Sequence, residues 1–409
     1  MLSLPSIFVR LVLWSSLASA APSLPLGRDW ALTLRGDLRP RVEVWRDGVR
    51  DPSAPSWDAA VTQRSRLGTE FSHREGLQLE MALQDVRAWG RSLPNSGQPL
   101  EIYTANLLLP LDDRTQVVVG RQEIDVGHPR LLGNEDFWQR GRSFDGALLT
   151  LDAPPQRASL FYAKLREGSA GQFPERRDVL QGDHDIGGAV SRTTLVTNHD
   201  ASVLFLVDRD SHLESTRYTL GGLFAGARGP LRYSAEVYGQ SGIERDEPVA
   251  AYFMGLNAEF LAPRRFSPRL ALWLEHASGD GTREGSFSAP LGSHHEYFGA
   301  LDLFVDLPND TAFGGLTDFG AAAGARPQPW LALNLDWHCF ASRTAEGLRS
   351  FVGQELDFSA LFELGDVVTL EALAAILLPN GTLAALRVEE TSADPSYELA
   401  AFVSLRARF

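Results

Sequence analysis

The sequence predicts an all-β fold: a transmembrane antiparallel β-barrel of about 18 strands (16–18), with long loops partly occluding its lumen. Apolar and polar residues alternate at period 2 along most of the chain. No stretch beyond the N-terminus offers the ~18 consecutive apolar residues that a spanning helix needs. The last twelve residues, ELAAFVSLRARF, add a third observation. Leu399, Ala401, Val403, Leu405, Ala407 and Phe409 share one face, and Glu398, Ser404, Arg406 and Arg408 share the other. A final strand that ends on an aromatic residue suits the closing strand of a bacterial outer-membrane barrel.

Composition and the N-terminus bound the alternatives. Of the 409 residues, 44% are apolar and 22% charged, which excludes a disordered chain. Cys339 is the one cysteine, so there is neither an intramolecular disulfide nor a multi-cysteine metal site. A formal charge of −14 argues against a protein that coats nucleic acid. Residues 1–20 read as a signal peptide: LVLWSSLASA follows Arg10 and ends on Ala18-Ser19-Ala20, with cleavage expected after Ala20. A buried N-terminal helix is the alternative. Residues 21–409 then read as a single outer-membrane β-barrel, since no Pro/Ser-rich linker divides them.

The first strand sets the sidedness. In LRGDLRPRVEVW (34–45), Arg35, Asp37, Arg39, Arg41 and Glu43 share one parity, and Leu34, Leu38, Val42 and Val44 share the other. Alternate side chains of a strand point to opposite faces. A charge at the bilayer midplane costs a few kcal/mol or more, so the charged parity faces a water-filled lumen and the apolar parity faces lipid. AVTQRSRLGTEF (60–71), LQLEMALQDVRAWG (77–90), LRYSAEVYGQ (231–240) and LALNLDWHCF (331–340) repeat the pattern. Trp45, Trp89, Tyr238, Trp273, Trp337 and Phe409 suit interfacial girdles. A soluble sandwich or propeller would need an inner face more apolar than these Arg-rich strands, and repeats of about 40–50 residues are not visible. Two stretches, 121–141 and 278–320, are long, Gly-rich and do not alternate. They are candidate pore-lining or plug loops.

Several blocks resemble the alginate-export family of outer-membrane proteins. These are VVVGRQEIDVGHPRLLGNEDFWQRGRSFDGALL (117–149), ALQDVRAWG (82–90), EHASGDG (275–281) with HEYFGALDLF (295–304), DWHCF (336–340), and VGQELDFSALFELGDVVTLEALAAILLP (352–379). The resemblance covers nearly all of the chain after residue 20. It implies a single antiparallel barrel, with 18 strands in the best-known members, that passes an acidic polysaccharide outward through an electropositive, narrowed lumen. It also implies a monomer. The chain departs from that picture in its acidic overall charge, in having one lysine (Lys164), and in residues 167–200, where no block matches.

Candidate substrate-guiding, pore-lining residues are Arg35, Arg39, Arg41, Arg64, Arg66, Arg87, Arg121, Arg130, Arg140 and Arg142, together with Asp85 and Asp145. Arginine is always ionised, and its planar fork grips carboxylates bidentately. A ladder of such groups would guide an anionic polymer, as Arg and Lys rings do in anion-selective pores. The alternative is a cross-strand network in which Glu43, Glu70, Glu80, Asp85, Asp125 and Asp145 neutralise them. His294, His295 and Glu296, or Asp183, His184 and Asp185, lack the ligand spacing of a metal site. No catalytic motif is present, so no enzyme activity, metal or cofactor is expected. The expectation is an outer-membrane channel of a Gram-negative bacterium for an anionic, alginate-like polysaccharide, or alternatively a general or substrate-specific porin for small solutes. Outer-membrane lipid, an anionic polysaccharide or small anionic solute, and periplasmic export components are the expected partners, with no nucleic acid.

Overall fold

A computed structural model describes residues 23–49, 56–90, 100–166, 182–343, 349–380, 382–383 and 396–409. The signal-peptide stretch 1–20 lies outside the described residues. The alternating segments form a short strand, β1 (Ser23–Leu26), and eighteen longer ones. These are β2 (Trp30–Asp47), β3 (Ser56–His73), β4 (Gln78–Gly90), β5 (Glu101–Pro110), β6 (Thr115–Gln122), β7 (Phe144–Ala153), β8 (Gln156–Arg166), β9 (His184–Val196) and β10 (His199–Asp210). The second half holds β11 (Ser215–Arg228), β12 (Leu231–Glu244), β13 (Glu247–Leu261), β14 (Arg269–Ala277), β15 (Leu316–Gln328), β16 (Leu331–Arg343), β17 (Arg349–Leu364), β18 (Val368–Pro379) and β19 (Glu398–Arg408).

Each of these strands pairs antiparallel with its neighbour in sequence, and β19 returns to β2, so β2–β19 close an 18-strand barrel. Across the closing seam Val403 lies opposite Val42, and Ala401 opposite Val44. Gly36 and Phe409 exchange backbone hydrogen bonds of 3.0 and 3.1 Å. A Cβ on Gly36 would fall 2.1 Å from the Phe409 ring, so the missing side chain makes room for the terminal aromatic.

The two faces sort as the alternation requires. On β2, Arg39, Arg41 and Glu43 are 2–4% exposed, while Leu38 and Val42 are 46% and 50% exposed. The same outward row carries Leu67, Leu160, Val203, Leu220, Val237 and Leu256, all more than half exposed, as a hydrocarbon-facing band. Trp57 and Trp89 stand near one end of the wall, and Trp30, Trp330, Phe266 and Phe409 near the other. Trp45, Tyr238 and Trp273 depart from the girdle expectation. They occupy lumen parity, where Trp45 packs on Phe402, Tyr238 meets His128, and Trp273 donates to Asp318 at 2.9 Å. Neighbouring wall strands and, for Tyr238, the inward loop supply apolar and polar partners there, which a water-filled lumen would not.

The ends of the barrel differ. Short turns such as 74–77, 154–155, 197–198 and 229–230 join strands at one end, and Gly229 takes a φ of +59° in its turn. At the other end the connections 123–143 and 278–315 are long, which marks the short-turn end as periplasmic. Both loops fold inward. Ile124, Leu131 and Leu132 of the first join Phe287, Phe298 and Phe304 of the second in one apolar cluster with wall residues Phe161, Leu204, Phe253 and Phe340. The first loop is displaced by two residues from the sequence pattern at the same length, and the second is a little shorter than the pattern suggests. Arg121 and Gln122 still belong to β6, and β15 begins at Leu316.

Leu220→Arg, at a 59%-exposed mid-strand position of β11, puts a cation in the hydrocarbon band. We expect it to destabilise the barrel in lipid vesicles by about 2–4 kcal/mol, read by urea titration.

Candidate functional site: the arginine wall and the loop that crosses the lumen

Closing β19 onto β2 brings three inward-facing sets of arginines together: Arg39 and Arg41 from β2, Arg64 and Arg66 from β3, and Arg406 and Arg408 from β19. Asp136, at the tip of the 123–143 loop, sits among them. Its Oδ1 lies 2.8 Å from Arg64 Nη1 and 3.4 Å from Arg66 Nη1. Its Oδ2 lies 2.8 Å from Arg406 Nη1, 3.8 Å from Arg39 Nη1 and 3.9 Å from Arg408 Nη2. Asp37 is the second carboxylate, 3.1 Å from Arg64 and 3.3 Å from Arg408, and it also pairs with Arg406. Five guanidiniums therefore face two carboxylates. Burial pushes the Asp136 carboxyl pKa up, but Arg64, Arg406, Arg39 and Arg66 outweigh it and hold the group far below the usual carboxylate range.

The rest of the tip is held through neutral oxygens. Arg39 donates to the Asp136 carbonyl (2.6 Å), the Trp138 carbonyl (2.8 Å) and Gln139 Oε1 (3.0 Å). Arg41 donates to the Phe137 carbonyl at 2.6 Å and lies 4.2 Å from the centre of the Phe137 ring. Gln139 Nε2 donates to Thr62 at 2.8 Å.

A second anchor fastens the same loop to another part of the wall. Arg130 donates to Glu236 of β12 (2.9 Å) and Glu275 of β14 (2.8 Å), between the rings of Tyr297 (3.7 Å) and Phe253 (4.1 Å). Burial alone would favour the neutral form of Arg130, but Glu236 and Glu275 outweigh it and hold the charge more firmly than usual. His128 pairs with Tyr238 (2.9 Å) and Ser202 (3.0 Å), and burial pushes its pKa down to about 4. The loop is therefore a strut across the lumen, tied to β12–β14 at one point and to the β19–β2–β3 wall at another.

The 278–315 loop braces this strut. Gly133 N donates to Leu291 O at 2.9 Å, and Ser293 N donates to Pro129 O at 2.7 Å. Glu135 holds Arg142 and His294, each at 2.8 Å, and His295 stacks on Phe137 with ring centres 3.2 Å apart. Wall carboxylates take backbone N–H groups of the bracing loop, Glu355 from Leu301 (2.9 Å) and Asp357 from Ala300 (3.2 Å). His294 and His295 thus serve the seam between loops. Among the described residues no group of three or more His, Cys, Asp or Glu side chains is arranged to hold a metal ion. Burial pushes the pKa of the neighbouring Glu296 up to about 7.

The structure divides the residues singled out from sequence. Arg39, Arg41 and Arg64 are buried at the loop tip with Arg66 half-buried beside them, and Arg35 stands 58% exposed on the same inner face, paired with Glu70. Arg130, Arg140 and Arg142 belong to the strut, Arg140 pairing with Glu101 at 2.9 Å. Arg87 with Asp85 (2.7 Å) and Arg121 with Asp145 (3.1 Å) are corrections to the pore-lining expectation. By register they share the outward parity of Val61, Leu67 and Val119. They lie beside the loops, where the outer surface leaves the hydrocarbon, so charge on that face carries no desolvation penalty and alternation no longer reports sidedness. Asp37, Asp136, Arg406 and Arg408 were not among the candidates. Asp37 stood on the charged parity of the first strand, Asp136 in the non-alternating 121–141 stretch, and Arg406 and Arg408 on the polar parity of the last strand, but only closure brings position 406 beside position 37.

A closed barrel with an apolar exterior, a charged interior and loops folded into its lumen has the architecture of an outer-membrane channel. The chain matches the alginate export family over residues 31–349 and belongs to that family. Its fold is similar to the porins OccAB4 of Acinetobacter baumannii (TM-score 0.63, 12% identity) and OpdL of Pseudomonas aeruginosa (TM-score 0.65, 12% identity), each match covering 92% of this chain and 98% of the other. It is also similar to P. aeruginosa OpdK solved with vanillate (TM-score 0.60, 10% identity), over the same shares of the two chains. No match was found among curated proteins.

Arg130→Ala leaves Glu236 and Glu275 buried without their shared cation. It should cost about 3–5 kcal/mol in chemical denaturation of the folded barrel, whereas Arg87→Ala should leave the curve in place. Glu296 favours its neutral form when folded, so its contribution to stability is full below the unfolded pKa and is lost as pH rises through about 7. Glu296→Gln should therefore match the parent at pH 4 and exceed its stability at pH 8, read by thermal melts at both values.

Proposed function

We propose that the barrel translocates an anionic, alginate-like polysaccharide across the outer membrane without covalent chemistry. One observation carries this reading: five guanidiniums against two carboxylates at the point where the loop tip meets the lumen wall. Positive charge focused inside a low-dielectric wall attracts a polyanion even though the chain as a whole is acidic. Arginine forks suit carboxylates placed at intervals along a uronate polymer. Arg35, exposed on the turn-end side of the cluster, extends the basic track toward the periplasm. Periplasmic export components would deliver the polymer there. A single barrel in outer-membrane lipid suffices for the task, so we assign a monomer.

A second reading is a porin for small anionic solutes. The packed loops favour it by narrowing the lumen, and one structural neighbour was solved with a small carboxylate, vanillate. Reconstitution in planar bilayers separates the two. Polymer export predicts anion selectivity and current block by oligouronates added on the turn-end side, deepening with chain length. A porin for small solutes predicts anion selectivity with block independent of chain length. Cation selectivity with no block by uronates would overturn both.

A further inference from the structure

We propose that the loop tip 136–139 is a built-in substitute for a uronic acid residue. Asp136 occupies a carboxylate site assembled by Arg39, Arg64, Arg66, Arg406 and Arg408, and a uronate carboxylate entering the lumen exchanges with it and releases the tip. This rests on the reading of the lumen as a path for carboxylated sugars, and it assigns that path a gate.

The groups at the tip support the substitution. A uronate presents one carboxylate flanked by neutral hydroxyl and ring oxygens. The tip presents one carboxylate flanked by four neutral oxygens: the carbonyls of Asp136, Phe137 and Trp138, and Gln139 Oε1. All four lie 2.6–3.0 Å from guanidinium nitrogens of Arg39 and Arg41. The wall also holds more donors than the tip uses. Arg64 Nε and Arg41 Nε and Nη1 are buried without a hydrogen-bond partner among the described residues, although Arg64 is 0% exposed and Arg41 2%. A buried donor left unmade is costly, so these nitrogens favour an acceptor-rich ligand, while Asp37 Oδ1 in the same cluster is a buried acceptor likewise without a hydrogen-bond partner among the described residues.

Charge makes the exchange feasible. Withdrawing Asp136 alone would leave five clustered guanidiniums facing Asp37, and like charges this close repel strongly out of water. Replacing one carboxylate by another leaves the net charge of the cluster unchanged throughout. The strut's other anchor has the opposite balance, one cation held by two carboxylates between two aromatic rings, with no anion for a substrate to displace. The tip is therefore the end that releases, and the Arg130 end is the pivot.

Single-channel recording of the full-length barrel, with glucuronate monomer as the probe and Asp136→Asn as the near-isosteric variant, tests the exchange. In the parent, glucuronate should raise open-state occupancy saturably, by about twofold or more, while equal acetate does less because it lacks the flanking oxygens. Asp136→Asn should be open without glucuronate and indifferent to it. Heat-modifiable mobility on gels confirms that the variant has folded, and Asp136→Glu, which restores a carboxylate, should recover a closed state. A folded Asp136→Asn channel as closed and as glucuronate-responsive as the parent would overturn the gate. If oligouronates block the parent while Asp136→Asn changes nothing, the gate fails and the transport reading stands. If Asp136→Asn opens the channel but oligouronates neither block nor pass, the transport reading fails, and with it the assignment of the tip as a uronate substitute.

Discussion

The whole structure depends on one constraint: in hydrocarbon, every backbone N–H and C=O of the wall must be bonded to another strand. An open sheet leaves two unpaired edges, so the last strand has to find the first. Here β19 closes on β2 through paired registers and the reciprocal Gly36–Phe409 bonds. Closure then fixes everything else. It decides which parity faces lipid, and it carries Arg406 and Arg408 across more than 360 positions of sequence to stand beside Asp37.

A closed wall with charges on its inner face creates a second problem, which the loops solve. Buried ions survive only when paired and hydrogen-bonded. Most of the inward guanidinium groups of β2, β3 and β19 are engaged by a loop that supplies Asp136 and a run of carbonyls, while Arg64 Nε and Arg41 Nε and Nη1 keep no hydrogen-bond partner among the described residues. The inward glutamates of β12 and β14 are satisfied by the same loop's Arg130. The strut and the wall are thus electrostatic complements. The apolar cluster of Phe287, Phe298 and Phe304 against Phe253 and Phe340 gives the loops a core of their own inside the barrel.

This division of labour fits what the relatives share and what they do not. At 10–12% identity, the porin structures match this barrel over most of its length, because a closed antiparallel wall asks only for alternation and turns. Chemistry lives in the few inward side chains and the two loops, where similarity of fold carries no weight. Family membership rests on residues 31–349, a span that includes both inward loops.

Alternation made the fold class, the sidedness of β2, and the two non-repeating loops legible from the sequence, because the strand period is a local property that each segment declares for itself. The inward positions of Arg39, Arg41, Arg64 and Arg66 followed from the same rule. The rule failed where its premise ended: beside the loops, Arg87 and Arg121 sit outside the hydrocarbon, so outward charge there costs nothing. It also said nothing about partners. That Asp136 meets arginines from three strands, that Trp45 and Trp273 turn inward onto neighbouring strands and Tyr238 onto a loop, and that Arg130 bridges Glu236 and Glu275 are consequences of closure and of loop folding. Both join residues far apart along the chain, through contacts that no local period encodes.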